Sequence, residues 1–352
     1  MKGPRFYVPL SLAIALAVAL AASACSGGAA PASPTTAPAK PAATQAAAPA
    51  GGVPALTKQY QLSMATGGTA GTYYPYGGAI ASLLSNNIKG LTVTAQTTGA
   101  SVENLRLMGS KQVEMAISQN DIADYAMNGT EFFKDNKITN IRGMAVLYPE
   151  YIQIAVPADS NIKSYADLKG KRVSVGPPGS GSEANTRELV DAAGMTYKDF
   201  ANAAQLSDAE AAAAFKNHQI DAMEVTTGVP ASAFQDIGTA MKIRVLPVDG
   251  DLAKNLMSKY KFFVPVTIPA NTYNGQDQPV QSVAVLSTLL VREDLDTDLV
   301  YAMTKTLFDK QPELAQAHAK GKLLTLQSAV TGLTVPWHPG AEKYYKEIGA
   351  LK

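Results

Sequence analysis

The chain has 352 residues and a formal charge of +1, which becomes −1 once Lys2 and Arg5 leave with an export segment. That length allows two ordinary domains with a sizeable core, and near-neutrality leaves no electrostatic footprint for nucleic acid. The three histidines, at 218, 318 and 338, share no metal-ligand spacing with one another or with the lone Cys25. That argues against a zinc or haem enzyme, and no cofactor is expected.

Residues 1–25 read as an export signal. Lys2 and Arg5 form a short basic region, 7–22 is almost wholly apolar, and Ala22-Ser23-Ala24 supplies small residues. The apolar core is too short and too near the start for a membrane anchor. A cysteine directly after small residues resembles the lipobox of bacterial lipoproteins, whose cysteine is lipidated and becomes the first residue. Ala22 stands where lipoboxes usually carry leucine, and a simple signal peptide cut near Ala24 is the alternative. Residues 26–57 follow with prolines at 31, 34, 38, 41, 49 and 54 among alanine, threonine and serine. Such a composition buries no core, so it predicts a disordered, semi-extended tether. From 58 onward no apolar run is long and clean enough to span a bilayer, and a soluble extracytoplasmic domain is expected.

In that domain short apolar strands alternate with helical patterns, the mark of α/β architecture with mainly parallel sheets. A strand at 62–65 leads into Gly67, Gly68 and Gly71, after which Ile80, Leu83, Leu84 and Ile88 fall at helical spacing. A strand at 171–175 leads into a second glycine turn at 176–183, followed by Leu189, Val190 and Ala193 at the same spacing. Short strands at 112–116 and 219–223 share one shape. Gly71 precedes Val113 by 42 residues, and Gly181 precedes Ile220 by 39. This repetition predicts two similar lobes, each aiming a glycine turn and a strand end at a shared cleft. Residues 58–150 would begin lobe 1, 151–262 form lobe 2, and 263–352 return to lobe 1. Strands at 148–156 and 262–268 are expected to cross between the lobes as a hinge, with a strand at 283–291 and a helix over 296–319 after them.

Neither glycine turn is G-x-G-x-x-G, and neither carries the Gly-Lys-Ser/Thr of a P-loop. Pro178-Gly179-Ser180-Gly181-Ser182 is not G-x-S-x-G, and no histidine is evidently placed to activate a serine. His338, in Trp337-His338-Pro339-Gly340, reads as a packing or capping residue. The cleft is expected to hold a ligand without chemistry, and the protein is not read as an enzyme.

The runs ATGGTAGTYYPYGGAIA, TTGASVENLRLM, AISQNDIADYA, KRVSVGPPGSGSEAN and PWHPGAEKYY together resemble the TAXI family. These are extracytoplasmic solute receptors of TRAP (tripartite ATP-independent periplasmic) transporters, and the likeness runs from about Tyr60 to the C-terminus. It implies a type II periplasmic-binding-protein-like fold with hinge strands and an interlobe ligand cleft. It also implies an ion-driven membrane permease as partner and a small carboxylate, such as glutamate or 2-oxoglutarate, as ligand. A receptor of an ABC importer, or a sensor for a membrane kinase, would share this fold.

On that reading the backbone amides of Gly67, Gly68 and Gly71 and of Gly179, Ser180, Gly181 and Ser182 cradle a carboxylate at positive helix ends. Ser101 either caps a helix or contacts the ligand. Gln119 and the pair Thr226 and Thr227 stand at matching strand ends, as turn residues or as ligand contacts. Of Tyr73 and Tyr74, one is expected to line the cleft, with Tyr73 favoured, and at least one of Tyr148 and Tyr151 is expected to reach it. Arg106 and Arg187 fit surface ion pairs and are left outside the site.

Overall fold

The computed structural model describes Leu56 and residues 58–352. The export signal, Cys25 and all of the tether except Leu56 lie outside the described residues. In chain order the elements are β1 Tyr60–Ala65, α1 Tyr73–Asn87, β2 Leu91–Gln96, α2 Ser101–Gly109, β3 Met115–Gln119, α3 Asn120–Asn128 and β4 Ile141–Pro157. Next come β5 Arg172–Ser174, α4 Gly181–Ala192, β6 Asn202–Ala204, α5 Asp208–Lys216, β7 Ala222–Thr227, α6 Ser232–Ala240, β8 Ile243–Val245, α7 Gly250–Lys259 and β9 Val264–Ile268. The chain closes with β10 Val280–Arg292, α8 Thr297–Asp309, α9 Gln311–Ala317, α10 Leu326–Ala329 and α11 Pro339–Glu347.

The strands pair in the order β2-β1-β3-β10-β4-β7-β5-β6, with β8 added to β4 and β9 to β10. β1, β2 and β3 run parallel, as do β5, β6 and β7, whereas β10 is antiparallel to β3 and β4 to β7. Two lobes result, and helices cover both faces of each. In lobe 1, α1, α8 and α11 bury one face and α2 and α3 the other. In lobe 2, α4 and α7 face α5 and α6 across the sheet.

The predicted repeat is visible as β1-α1-β2-α2-β3 against β5-α4-β6-α5-β7. The last strand of each unit starts three residues later than expected, for the same reason both times. Gln112 N donates to Leu107 O and Lys111 N to Met108 O, while Gln219 N donates to Ala214 O and His218 N to Phe215 O. These pairs are Schellman closures of α2 and α5, with Lys111 (φ 59) and His218 (φ 55) in the left-handed position that ends a helix. The residues before each strand are therefore spent on finishing a helix.

Two strands carry the chain between lobes, β4 outward and β10 back. They pair from Arg292↔Ile141 to Ala284↔Tyr151, with irregularities between Ser287 and Thr288 and between Leu289 and Leu290. The return crossing was expected at 262–268, but β9 is an edge strand on the lobe 2 end of β10, paired from Val280↔Ile268 to Ala284↔Val264. Its exposure explains the difference. Val264 is 45% exposed, whereas Val283, Val285, Leu289 and Leu290 of β10 are fully buried, as a strand running through the middle of the molecule must be.

The C-terminal segments pack back onto lobe 1. The single helix expected over 296–319 is split into α8 and α9, and Pro312, in the first turn of α9, has no amide to continue α8. His338 caps α11, its Nδ1 accepting the Gly340 amide at 3.2 Å. A Cβ on Gly340 would stand 2.2 Å from Thr297 O and 2.6 Å from Tyr301 N, both backbone atoms of α8 and its start. Backbone cannot swing aside as a side chain can. Gly340→Ala is therefore expected to cost about 1–3 kcal/mol and lower the melting temperature by several degrees. An unchanged melt would show that α11 does not approach α8 this closely.

Candidate functional site

Between the lobes lies a cavity of about 180 Å³. Four helix starts converge on it: α1 and α2 from lobe 1, α4 and α5 from lobe 2. The loop after β1 brings Gly67, Gly68 and Gly71 to its wall, with Thr72 and Tyr73 opening α1. Ser101, at the start of α2, also lines it, and so does Gln119 at the end of β3. Lobe 2 contributes Ser180, Gly181 and Ser182 from the start of α4, and Thr226 and Thr227 from the end of β7. Eleven of the thirteen residues singled out from sequence thus meet around one space.

Tyr148 and Gly179 do not. Tyr148 is 2% exposed in the lobe 1 core, its ring 5.7 Å from that of Tyr76, with Lys320 Nζ 5.5 Å from its centre. Tyr151 packs on the lobe 2 core and also stays off the cavity. Glu150, two residues beyond Tyr148 on β4, lines the cavity wall instead. Gly179 clamps the lobes: its carbonyl accepts the Val102 amide at 3.1 Å and the Glu103 amide at 3.2 Å. Its φ of 77 lies in the region glycine reaches without steric cost.

The side chains at the rim hold strand ends as much as they face the cavity. Ser101 Oγ accepts the Gln119 amide at 3.2 Å and makes no cap, because Ala100 (φ 78) occupies the N-cap of α2. Ser182 Oγ accepts the Thr226 amide at 3.0 Å. Thr72 Oγ1 lies 3.0 Å from Thr227 Oγ1, joining the lobes. With the α2 amides of Val102 and Glu103 taken by Gly179, the starts of α1, α4 and α5 keep free amides, and in α5 the Asp208 carboxyl stands in that first turn. Among the described residues the amides of Tyr73, Tyr74, Gly181 and Ser182 have no protein acceptor. Unpaired amides at a helix start attract negative charge.

The wall carries no lysine, arginine or histidine, but it does carry two acids, Glu150 and Asp208. Burial pushes Glu150 up to about 7, while the Gln119 amide, donating at 3.2 Å, and the nearby hydroxyls of Tyr73 and Ser287 favour the charged form. Burial likewise raises Asp208, the first residue of α5, to about 6. Sequence reading missed both. Glu150 had left a signal, the one acid in a largely apolar crossing strand. Asp208 had left another, the capping box Ser207–Glu210 that marks the start of α5.

A second polar cluster closes the lobes beside the cavity. Asn185 Nδ2 of α4 donates to Asp121 Oδ2 of α3 at 2.7 Å and to Glu188 Oε2 at 3.2 Å, and Tyr125 OH donates to Glu188 Oε1 at 2.6 Å. The exposed Arg187 pairs with the buried Glu183 one turn earlier in α4, and Arg106 lies over the Phe133 ring.

Comparison with known proteins bears on the family and the fold. A family model described as the NMT1-like family matches residues 64–349. Among solved structures, the binding protein component of an ABC phosphonate transporter from Pseudomonas aeruginosa is similar at 14% identity and a TM-score of 0.50, covering 75% of this chain and 79% of that one. The alkanesulfonate-binding protein of Xanthomonas axonopodis pv. citri bound to MOPS is 15% identical with a TM-score of 0.45, over 84% and 86% of the two chains. An ancestral arginine-binding protein bound to arginine is 16% identical with a TM-score of 0.46, over 74% and 97%. At these identities the likeness is one of fold, the two-lobed α/β periplasmic-binding-protein fold.

Proposed function

The chain belongs to the NMT1-like family, and from that premise we propose that it is an extracytoplasmic receptor that captures a small carboxylate and delivers it to a membrane permease. The observation that carries this reading is the pair of free helix starts, α1 and α4, one from each lobe, facing one another across the cavity. Their amides offer directed donors to an anion without a cationic side chain. A ligand gripped by both lobes favours the closed form, in which those contacts coexist.

The permease is read two ways. The resemblance of the glycine turns and flanking runs to TAXI receptors supports an ion-driven TRAP permease and ligands such as glutamate or 2-oxoglutarate. The ABC importer reading fits the shared fold at least as well, since the phosphonate transporter component has the highest similarity score of those given above. Co-purification from membranes with a permease alone, or with an ATP-hydrolysing subunit, separates them.

The ligand class is tested by thermal denaturation against a panel of small acids. A carboxylate at 100 times its dissociation constant should stabilise the fold by about 2.7 kcal/mol, or ~5–10 °C. If sugars, sulfonates or phosphonates shift the melt and no carboxylate does, the assignment is wrong.

Attachment to the membrane through a diacylated Cys25 completes the proposal. It rests on the small residues before Cys25 and the Pro-rich stretch after it. Two acyl chains anchor stably where one holds marginally. The mature protein is expected in the membrane fraction, and Cys25→Ser is expected to release it or stall processing. Wild-type protein that is wholly soluble and begins after residue 25 would overturn this.

A further inference from the structure

We infer that the cleft selects a zwitterionic amino acid with a single carboxylate, its ammonium held by Glu150 beside Gln119, over dicarboxylates and 2-oxo acids. This deepens the carboxylate reading and rests on it. The argument is one of matching donors to acceptors. At 2% exposed, Glu150 spends Oε2 on the Gln119 Nε2 donor at 3.2 Å, while its Oε1 has no hydrogen-bond partner. Gln119, 1% exposed, has its own Oε1 unpartnered as well. Both residues line the cavity, which places these two unpaired acceptors at its wall, beside the Ser287 hydroxyl, which is unpaired as well. Buried acceptors need donors, and an ammonium supplies three.

The charges around Glu150 point the same way. The groups that act on it are Gln119 from β3, the hydroxyls of Tyr73 from α1 and Ser287 from β10, and Asp121 from α3. Lys320 is the cation that feels Glu150, but it stands behind the Tyr148 ring and donates to Val229 O at 2.6 Å, off the cavity wall. The second acid, Asp208, fills the first turn of α5 and offsets the positive end of that helix. A ligand's first carboxylate finds the free amides of α1 and α4. A second carboxylate would find Glu150, Asp208 and no cation. A 2-oxo oxygen would set one acceptor against others.

The test is calorimetry with matched pairs that differ only at the α-carbon: L-alanine with pyruvate, L-valine with 3-methyl-2-oxobutanoate, and L-glutamate with 2-oxoglutarate, plus succinate. At least one neutral amino acid should bind about 100-fold or more tighter than its 2-oxo partner, since a site built to pair a substrate N–H rejects the analogue that lacks it. Glutamate should bind more weakly than the best neutral amino acid, and Glu150→Gln should erase the preference within each pair. Should 2-oxo acids or succinate bind as tightly as the amino acids, the ammonium site is refuted while the carboxylate reading stands. Should no compound of the panel bind while a sulfonate or phosphonate does, both fall. The matched pairs need no variant, so misfolding of Glu150→Gln would not rescue the inference.

Discussion

Replacing Gly181 with valine is expected to abolish ligand capture while both lobes stay folded. Gly181 is the first residue of α4, and a Cβ there would stand 2.0 Å from Gln119 Oε1, 2.4 Å from its Cδ and 2.8 Å from its Nε2. Gln119 belongs to lobe 1, so the clash lies across the cleft and not within either core. A flexible side chain could swing away, but Gln119 is buried and its amide nitrogen is bonded to Glu150. Yielding would break that contact, and opening the lobes is the easier response. Gly181 is not among the glycines with positive φ, so it serves close approach and not backbone conformation. Affinity should fall by about 100-fold or more, as the closed contacts on both lobes are lost together. Small-angle scattering should show the variant failing to compact with ligand while its melting temperature without ligand stays near wild type. A folded Gly181→Val protein that binds normally would remove α4 from the site.

Ligand affinity is expected to carry a proton-uptake component that weakens binding as pH rises from about 4 through neutrality. Asp121 of α3 and Glu188 of α4 face one another across the lobes through Asn185, and burial pushes both carboxyls above their ordinary values. Asp124 raises Asp121 further, and Asp121 and Glu131 raise Glu188, while hydrogen bonds from Asn185 to both and from Tyr125 to Glu188 pull the other way. No cation is among the causes. In an open form these acids face water and ionise near their usual ~4. Closure therefore takes up protons, and the closed state is favoured below that pH and loses ground as pH rises, by up to about tenfold per unit for each proton taken up. Glu150 and Asp208 titrate too, so the clean readout is the ratio of wild-type to Glu188→Gln affinity, in which their contributions cancel. That ratio should fall from pH 5 to 8, and wild-type binding should show net proton uptake in buffers of different ionisation enthalpy. A ratio flat with pH would mean that the Asp121–Glu188 contact is not broken on opening.

Much of this architecture was legible in the amino-acid sequence because its signals are local. A glycine turn between a period-2 strand and a period-3.6 helix is written in a dozen residues, and its repetition at similar spacing gave away two lobes. Gly67, Gly71, Gly181 and the strand-end residues Gln119 and Thr227 could be placed together because the end of a parallel strand and the start of the next helix share one side of such a sheet. What remained hidden depended on pairing between distant segments. Whether β9 or β10 carries the chain back was undecided by composition, as both read as apolar strands; only burial against β3 and β4 distinguishes them. The face of β4 was equally unreadable, because a strand buried on both sides shows no alternation. The sequence therefore pointed to Tyr148 and passed over Glu150, and only packing put the Tyr148 ring on Tyr76 and left Glu150 at the cavity wall. Two glycine turns and two helix starts set to oppose one another could be read from local pattern alone. That two acids and no cation stand beside them emerges with the fold, because charges far apart in the chain meet only when the sheet is built and the lobes close.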